Sequence, residues 1–200
     1  MEALRTLPSI LWVFLAFVAI WLFRAQIKER IGALRSLEGP GGVKAQFDEG
    51  LKDAARATNT EISYVTRTRL EERIARSADQ LRGAHLLWID DVPSSTLNER
   101  TALTALGVVV DTAISSNDAE VLLKSNRYDA VISDIARGDS PEAGLAFISH
   151  LRELDPTVPL VFYIRNIDPK LGSPAGALGL TNRPDELLDL LLDAFARSRG

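Results

Sequence analysis

The sequence predicts an α/β protein, a five-stranded parallel doubly wound sheet preceded by a transmembrane helix and a helical stalk. Three observations predict it. From residue 84 onward, short β-branched runs alternate with helical segments at the spacing of βαβ units. An uncharged apolar run fills residues 7–23. Between them, residues 24–82 carry 12 basic and 9 acidic side chains, whereas residues 83–200 carry 10 basic and 17 acidic. The expected division is an anchor at 1–24, a cytoplasmic stalk at 25–82 and an acidic globule at 83–200.

Composition excludes several classes of function. An apolar fraction of 46% with 25% charged residues suits a folded chain. With no cysteine there is no disulfide scaffold, cysteine nucleophile or thiolate metal site. The two histidines, His85 and His150, stand in unrelated contexts and make no His-rich metal centre. The acidic globule repels a phosphate backbone, so no nucleic-acid partner is expected.

The run at 7–23 (LPSILWVFLAFVAIWLF) spans about 25 Å as a helix, against about 30 Å for a hydrocarbon core. Arg5 and Arg24 flank it and can snorkel, and Trp12 and Trp21 suit the interfaces. A buried core helix would carry some polar residues, and an in-plane helix needs a polar face. A cleaved signal peptide needs a small-residue site, where this chain reads FRAQ. A retained anchor fits best. Arg24, Lys28, Arg30 and Arg35 outnumber the cations on the amino side, so the expectation is a single-pass inner-membrane protein with residues 24–200 in the cytoplasm.

Residues 24–38 place Ile27, Ile31, Leu34 and Leu37 at helical spacing, and GPGG at 39–42 then reads as a stop and hinge. It is no phosphate-cradling loop, since no Lys-Ser/Thr follows and no buried strand precedes. The alternation in 43–47 (VKAQF) predicts one short strand with one wet face. A lone strand must pair with a second copy or a partner, which points to a homo-oligomer. Residues 60–82 read as a solvated connector helix, with Leu70, Ile74 and Leu81 as a thin apolar stripe beside charge pairs such as Glu72–Arg76.

In the globule, strands are expected at 84–89, 108–111, 130–133, 160–164 and 177–180. Helices are expected at 94–106, 118–125, 142–154 and 184–197, the last with Pro184 at its first position. Such alternation implies right-handed crossovers and a sheet covered on both faces. Sites in these sheets lie beyond the carboxyl ends of the strands. Asp90, Asp91 and Asp134 converge there, with residues 164–166 and Asn182–Arg183 alongside. Three carboxylates repel one another without a cation, and Mg²⁺, which takes few carboxylates plus waters, resolves the repulsion. Helix N-capping is the bland account of an acidic pair after a strand. It weakens once Asp134 arrives at the matching end of a second strand. No Gly-x-Ser-x-Gly elbow exists and neither histidine completes a triad, so no enzyme is expected.

Residues 86–91 (LLWIDD), 128–134 (YDAVISD), 158–161 (VPLV) and the pair Arg183-Pro184 follow in a distinctive order and spacing. The set resembles the receiver domain of response regulators, the flavodoxin-like phosphoacceptor module of two-component signalling. The resemblance covers residues 84–197. It implies that Asp90, Asp91 and Asp134 hold Mg²⁺ and that Asp134 accepts a phosphoryl group from a histidine kinase. The departures are informative. Where receivers carry Thr or Ser after the fourth strand, this chain has Ile164, which cannot hydrogen-bond. The usual Lys before the late Pro is Arg183, a phosphate contact with its charge kept and its geometry changed. The fourth-helix region, 166–176, holds two Pro and two Gly, leaving room for one turn at most. The resulting expectation is a membrane-anchored, degenerate or pseudo-receiver that acts mainly through protein interaction, with Mg-dependent phosphoacceptance at Asp134. Its alternatives are a phosphorylation-switched response regulator and a membrane effector controlled by its soluble sensor domain.

Overall fold

A computed structural model describes residues 40–138, 140–167 and 172–199. The chain divides into two compact units, residues 1–42 and 43–200, and apart from the start of the first helix the elements below belong to the second. The expected anchor at 7–23 and its helical continuation over 24–38 lie outside the described residues. Among the described residues, no helix is long and apolar enough to cross a membrane.

In chain order the elements are α1 (Pro40–Ala57), α2 (Tyr64–Arg76), the single turn α3 (Ala78–Leu81), β1 (His85–Ile89), a 3₁₀ turn (Pro93–Thr96) and α4 (Leu97–Ala105). There follow β2 (Val109–Ala113), α5 (Ser116–Ser125), β3 (Ala130–Ser133), α6 (Ala143–Leu154), β4 (Leu160–Tyr163), β5 (Gly179–Thr181) and α7 (Pro184–Arg199). All neighbouring strands pair in parallel, in the order β2-β1-β3-β4-β5. The five strands begin and end within two residues of their expected positions. Among the described residues between β4 and β5 there is no helix, as the prolines and glycines require.

The central strands β1, β3 and β4 are buried on both faces and divide their side chains between two cores. Leu86 and Trp88 of β1, Ile132 of β3 and Val161 and Tyr163 of β4 join one core with Leu103 of α4 and Leu187, Leu191 and Phe195 of α7. Leu87 and Ile89, Val131, and Leu160 and Phe162 join the other, with Ala119 of α5 and Phe147 and Leu151 of α6. This strict alternation follows from the two-residue period of a strand. It explains why these strands read as unbroken apolar runs.

Two expectations about residues 40–82 are corrected. Residues 43–47 are not a strand. All lie within α1, which opens on Pro40, where a missing N–H costs nothing. The alternation in VKAQF is the tail of a helical pattern: Phe47, Leu51, Ala54 and Ala55 recur at helical spacing and are all buried. With no strand there, the argument for self-association that rested on it falls. Residues 60–82 are likewise no solvated connector. Helix α2 is capped by Ser63, whose Oγ accepts from the Thr66 N–H at 3.1 Å, and it breaks at Ser77. Its stripe faces the first core, where Leu70 and Leu81 are fully buried and Ile74 packs alongside. Arg73 seals the contact with α7 by gripping Asp189 at 2.5 Å and Asp193 at 2.7 Å. Gly50 lets α1 lie close on α4, since a Cβ there would meet the Ala102 nitrogen at 3.0 Å. The hairpin α1–α2 is thus an added layer over α4 and α7.

Candidate functional site

Strands β1 and β3 are adjacent and parallel, with Ile89 opposite Ser133. The residues that follow, Asp90 and Asp134, are therefore delivered side by side, and Asp91 comes with Asp90. Each of the three offers a carboxylate oxygen within 4.8 Å of the others. Asp90 is buried and doubly held, its Oδ1 accepting from the Val92 N–H at 2.8 Å and its Oδ2 from Ser95 Oγ at 3.1 Å. Asp91 is exposed, and its Oδ2 accepts from the Gly138 N–H at 2.8 Å. Asp134 Oδ1 accepts from the Ile135 N–H at 2.7 Å. Burial pushes the Asp134 carboxyl above the usual range, and the charges of Asp90 and Asp91 add to the push against the backbone donors. Three hard oxygen donors so close suit a small divalent cation that keeps several waters, and the residues present fit Mg²⁺.

The remaining expected residues are placed differently. Ile164 stands just past β4, its backbone N–H donating to the Thr181 carbonyl at 3.1 Å and its side chain packed on the second core. It lines a groove of about 670 Å³ that runs from Asp134 past Leu145 to Pro174 and Leu180. Arg183, the expected phosphate contact, has its hydrogen bonds elsewhere. Its Nη2 donates to Asp185 Oδ2 at 2.9 Å and to the Glu61 carbonyl at 3.3 Å, and its Nε lies 3.3 Å from Glu186 Oε1. Two of these three partners are carboxylates on the first turn of α7.

A cation that sequence reasoning missed lies nearer. Arg137 is buried to 6% exposure and donates to the Asp134 carbonyl at 3.1 Å, to Ser116 Oγ at 2.8 Å and to Ser133 Oγ. A lone Arg in a loop has no periodicity or motif to mark it. The histidines stay apart from the site. His85 Nε2 meets Asp111 Oδ2 at 2.9 Å at the amino end of β1, and His150 Nε2 of α6 lies 3.1 Å from Glu120 Oε2 of α5. A second cavity of about 650 Å³ also lies at the amino ends of the strands, where Arg152 is already held by the carbonyls of Asp155, Val158 and Gly176.

No protein-family model and no curated protein matches this chain. Solved structures do. The receiver domain of the Francisella response regulator 1452 is 18% identical with a TM-score of 0.52, the match covering 58% of this chain and 100% of that one. The signal receiver domain of an HD domain-containing protein from Pseudomonas fluorescens Pf-5 is 21% identical with a TM-score of 0.51, covering 58% and 98%. The Vibrio cholerae chemotaxis response regulator CheY4 is 24% identical, with a TM-score of 0.48 and coverage of 56% and 98%. The parallel five-stranded sheet and the helices that cover it share the fold of response-regulator receiver domains.

Proposed function

We propose that this chain is a membrane-tethered, receiver-like signalling module that acts mainly through protein interaction and whose Asp134 retains the capacity to accept a phosphoryl group. The meeting of Asp90, Asp91 and Asp134 within 4.8 Å at the carboxyl ends of β1 and β3 carries the reading. The Asp134 carboxylate is the nucleophile: an Oδ–P bond forms as the bond from phosphorus to its donor, a histidine kinase or acetyl phosphate, breaks. Mg²⁺ held by the three carboxylates would neutralise the phosphoryl oxygens and favour the ionised form of Asp134. The main-chain donors to Asp90 and Asp91 keep both carboxylates in place. The protein is a stoichiometric acceptor, not an enzyme that turns over. The apolar run at 7–23 tethers it to the inner membrane, with the cation-rich side and the domain in the cytoplasm.

Degeneracy of the switch rests on two side chains. Ile164 brings no hydroxyl toward a phosphoryl group, and Arg183 is engaged by Asp185, Glu186 and Glu61. A modification without a differential contact between two states shifts no equilibrium. Hydrogen exchange on the full chain with Mg²⁺ and beryllofluoride tests this. Protection is expected near Asp90, Asp91 and Asp134, with α7 and the oligomeric state unchanged. Protection spreading through residues 164–167 and α7, or dimerisation driven by the mimic, favours the phosphorylation-switched regulator. No response anywhere removes phosphoacceptance.

A further inference from the structure

We propose that Arg137 is a counter-ion built into the acidic site, a positioning residue that holds Asp90, Asp91 and Asp134 together and competes with a divalent cation for them. The inference rests on reading these carboxylates as a Mg²⁺ site and names a regulator of that site.

The argument begins with burial. At 6% exposure Arg137 is in the interior, where an unpaired guanidinium is strongly disfavoured. Yet among the described residues it has no contact ion pair. Its bonds go to neutral oxygens, those of Ser133, Ser116 and the Asp134 carbonyl, and its Nε has no partner. What then balances the charge is the field of the site. Arg137 Nη1 donates to the carbonyl of Asp134, whose carboxylate stands within 4.8 Å of those of Asp90 and Asp91. The centroid of the Phe147 ring lies 5.8 Å from the guanidinium carbon, which stacks over its face.

The loop geometry supports the same role. A backbone bridge between Arg137 and Ser140 pins the segment, and Gly138, at φ +56°, turns its N–H onto Asp91 Oδ2. Two consecutive residues thus supply a buried cation and a fixed N–H donor to one carboxylate cluster. Arg183, the cation expected from the sequence, is held on α7 and at Glu61 instead. A fixed positive charge beside three carboxylates relieves their mutual repulsion and opposes an arriving dication.

The experiment measures Mg²⁺ binding to the full chain by calorimetry, alongside thermal unfolding with and without Mg²⁺. Arg137→Met removes the charge and keeps an apolar side chain; Arg137→Lys keeps the charge. In Arg137→Met the Mg²⁺ affinity should rise about tenfold, the loss of one repulsive charge in a partly dry site. Its unfolding midpoint should fall without Mg²⁺ and recover with millimolar Mg²⁺, while Arg137→Lys should bind Mg²⁺ as the natural chain does. Unchanged or weaker binding in Arg137→Met overturns the inference. Should Arg137→Met fail to fold, refolding on addition of Mg²⁺ supports the role, and a chain that stays unfolded at saturating Mg²⁺ overturns it. The two readings fail separately. Mg²⁺ binding by the variant but not by the natural chain removes the native Mg²⁺ site and leaves the counter-ion standing. Equal binding by both does the reverse, and binding by neither removes both.

Discussion

Gly144 begins the approach of α6 to the acidic site. A Cβ at this position would lie 2.3 Å from the Asp134 carbonyl oxygen and 2.8 Å from the Ile135 Cα, both main-chain atoms that cannot swing aside. The same residue's N–H donates to the Ile135 carbonyl at 2.8 Å, so helix and loop cannot simply part. Gly144→Ala should therefore cost about 3 kcal/mol, the upper end of overpacking, in urea unfolding. Glu99 gives a second prediction at this scale. It is buried on α4, accepts from the Tyr163 hydroxyl at 2.8 Å through Oε1 and has no partner at Oε2. Burial pushes its carboxyl above the usual range, although the Tyr163 hydroxyl opposes the shift. The folded state thus holds this proton more tightly than the unfolded state. Its contribution is complete below the ordinary carboxylate pKa and is lost as pH rises through the elevated folded value. Glu99→Gln should abolish that loss. Unfolding free energies of the two proteins across the acidic range should diverge in the variant's favour as pH rises, and parallel curves would show that Glu99 titrates normally.

The decisive element is the hairpin α1–α2. Phe47, Leu51 and Leu70 are nearly inaccessible, and burying each such side chain is worth about 1.5–3 kcal/mol. They lie in the same core as Leu103 of α4 and Leu187, Leu188 and Leu191 of α7. A fragment of residues 83–200 lacks this layer and exposes apolar surface on both of those helices. It should unfold at lower denaturant than a fragment of residues 43–200, by about 4 kcal/mol or more, and should bind a hydrophobic dye. Equal midpoints would mean that the sheet and its own helices are self-sufficient. The opposite face holds no such addition, since α5 and α6 cover the second core without help from residues 40–82.

Across the whole molecule, what the sequence by itself determined is the sheet and the position of the three aspartates. Strands β1, β3 and β4 are buried on both faces, so their apolar runs need no partner to be recognised, and the spacing between them leaves room only for helical crossovers. Asp90, Asp91 and Asp134 follow their strands directly, so the chain direction alone carries them to one edge. The tertiary structure decided the rest. Residues 43–47 satisfy a strand's period and a helix's alike, and only the surface offered by α4 and α7 selects the helix. Arg73 meets partners 116 and 120 positions away, and Arg183 reaches a carbonyl 122 positions away. Arg137, by contrast, reaches no farther than Ser116, 21 positions away, and is buried. A long, flexible cation goes to whichever acceptors the fold brings within its reach, so its destination is a property of the packed chain and is not written at its own position.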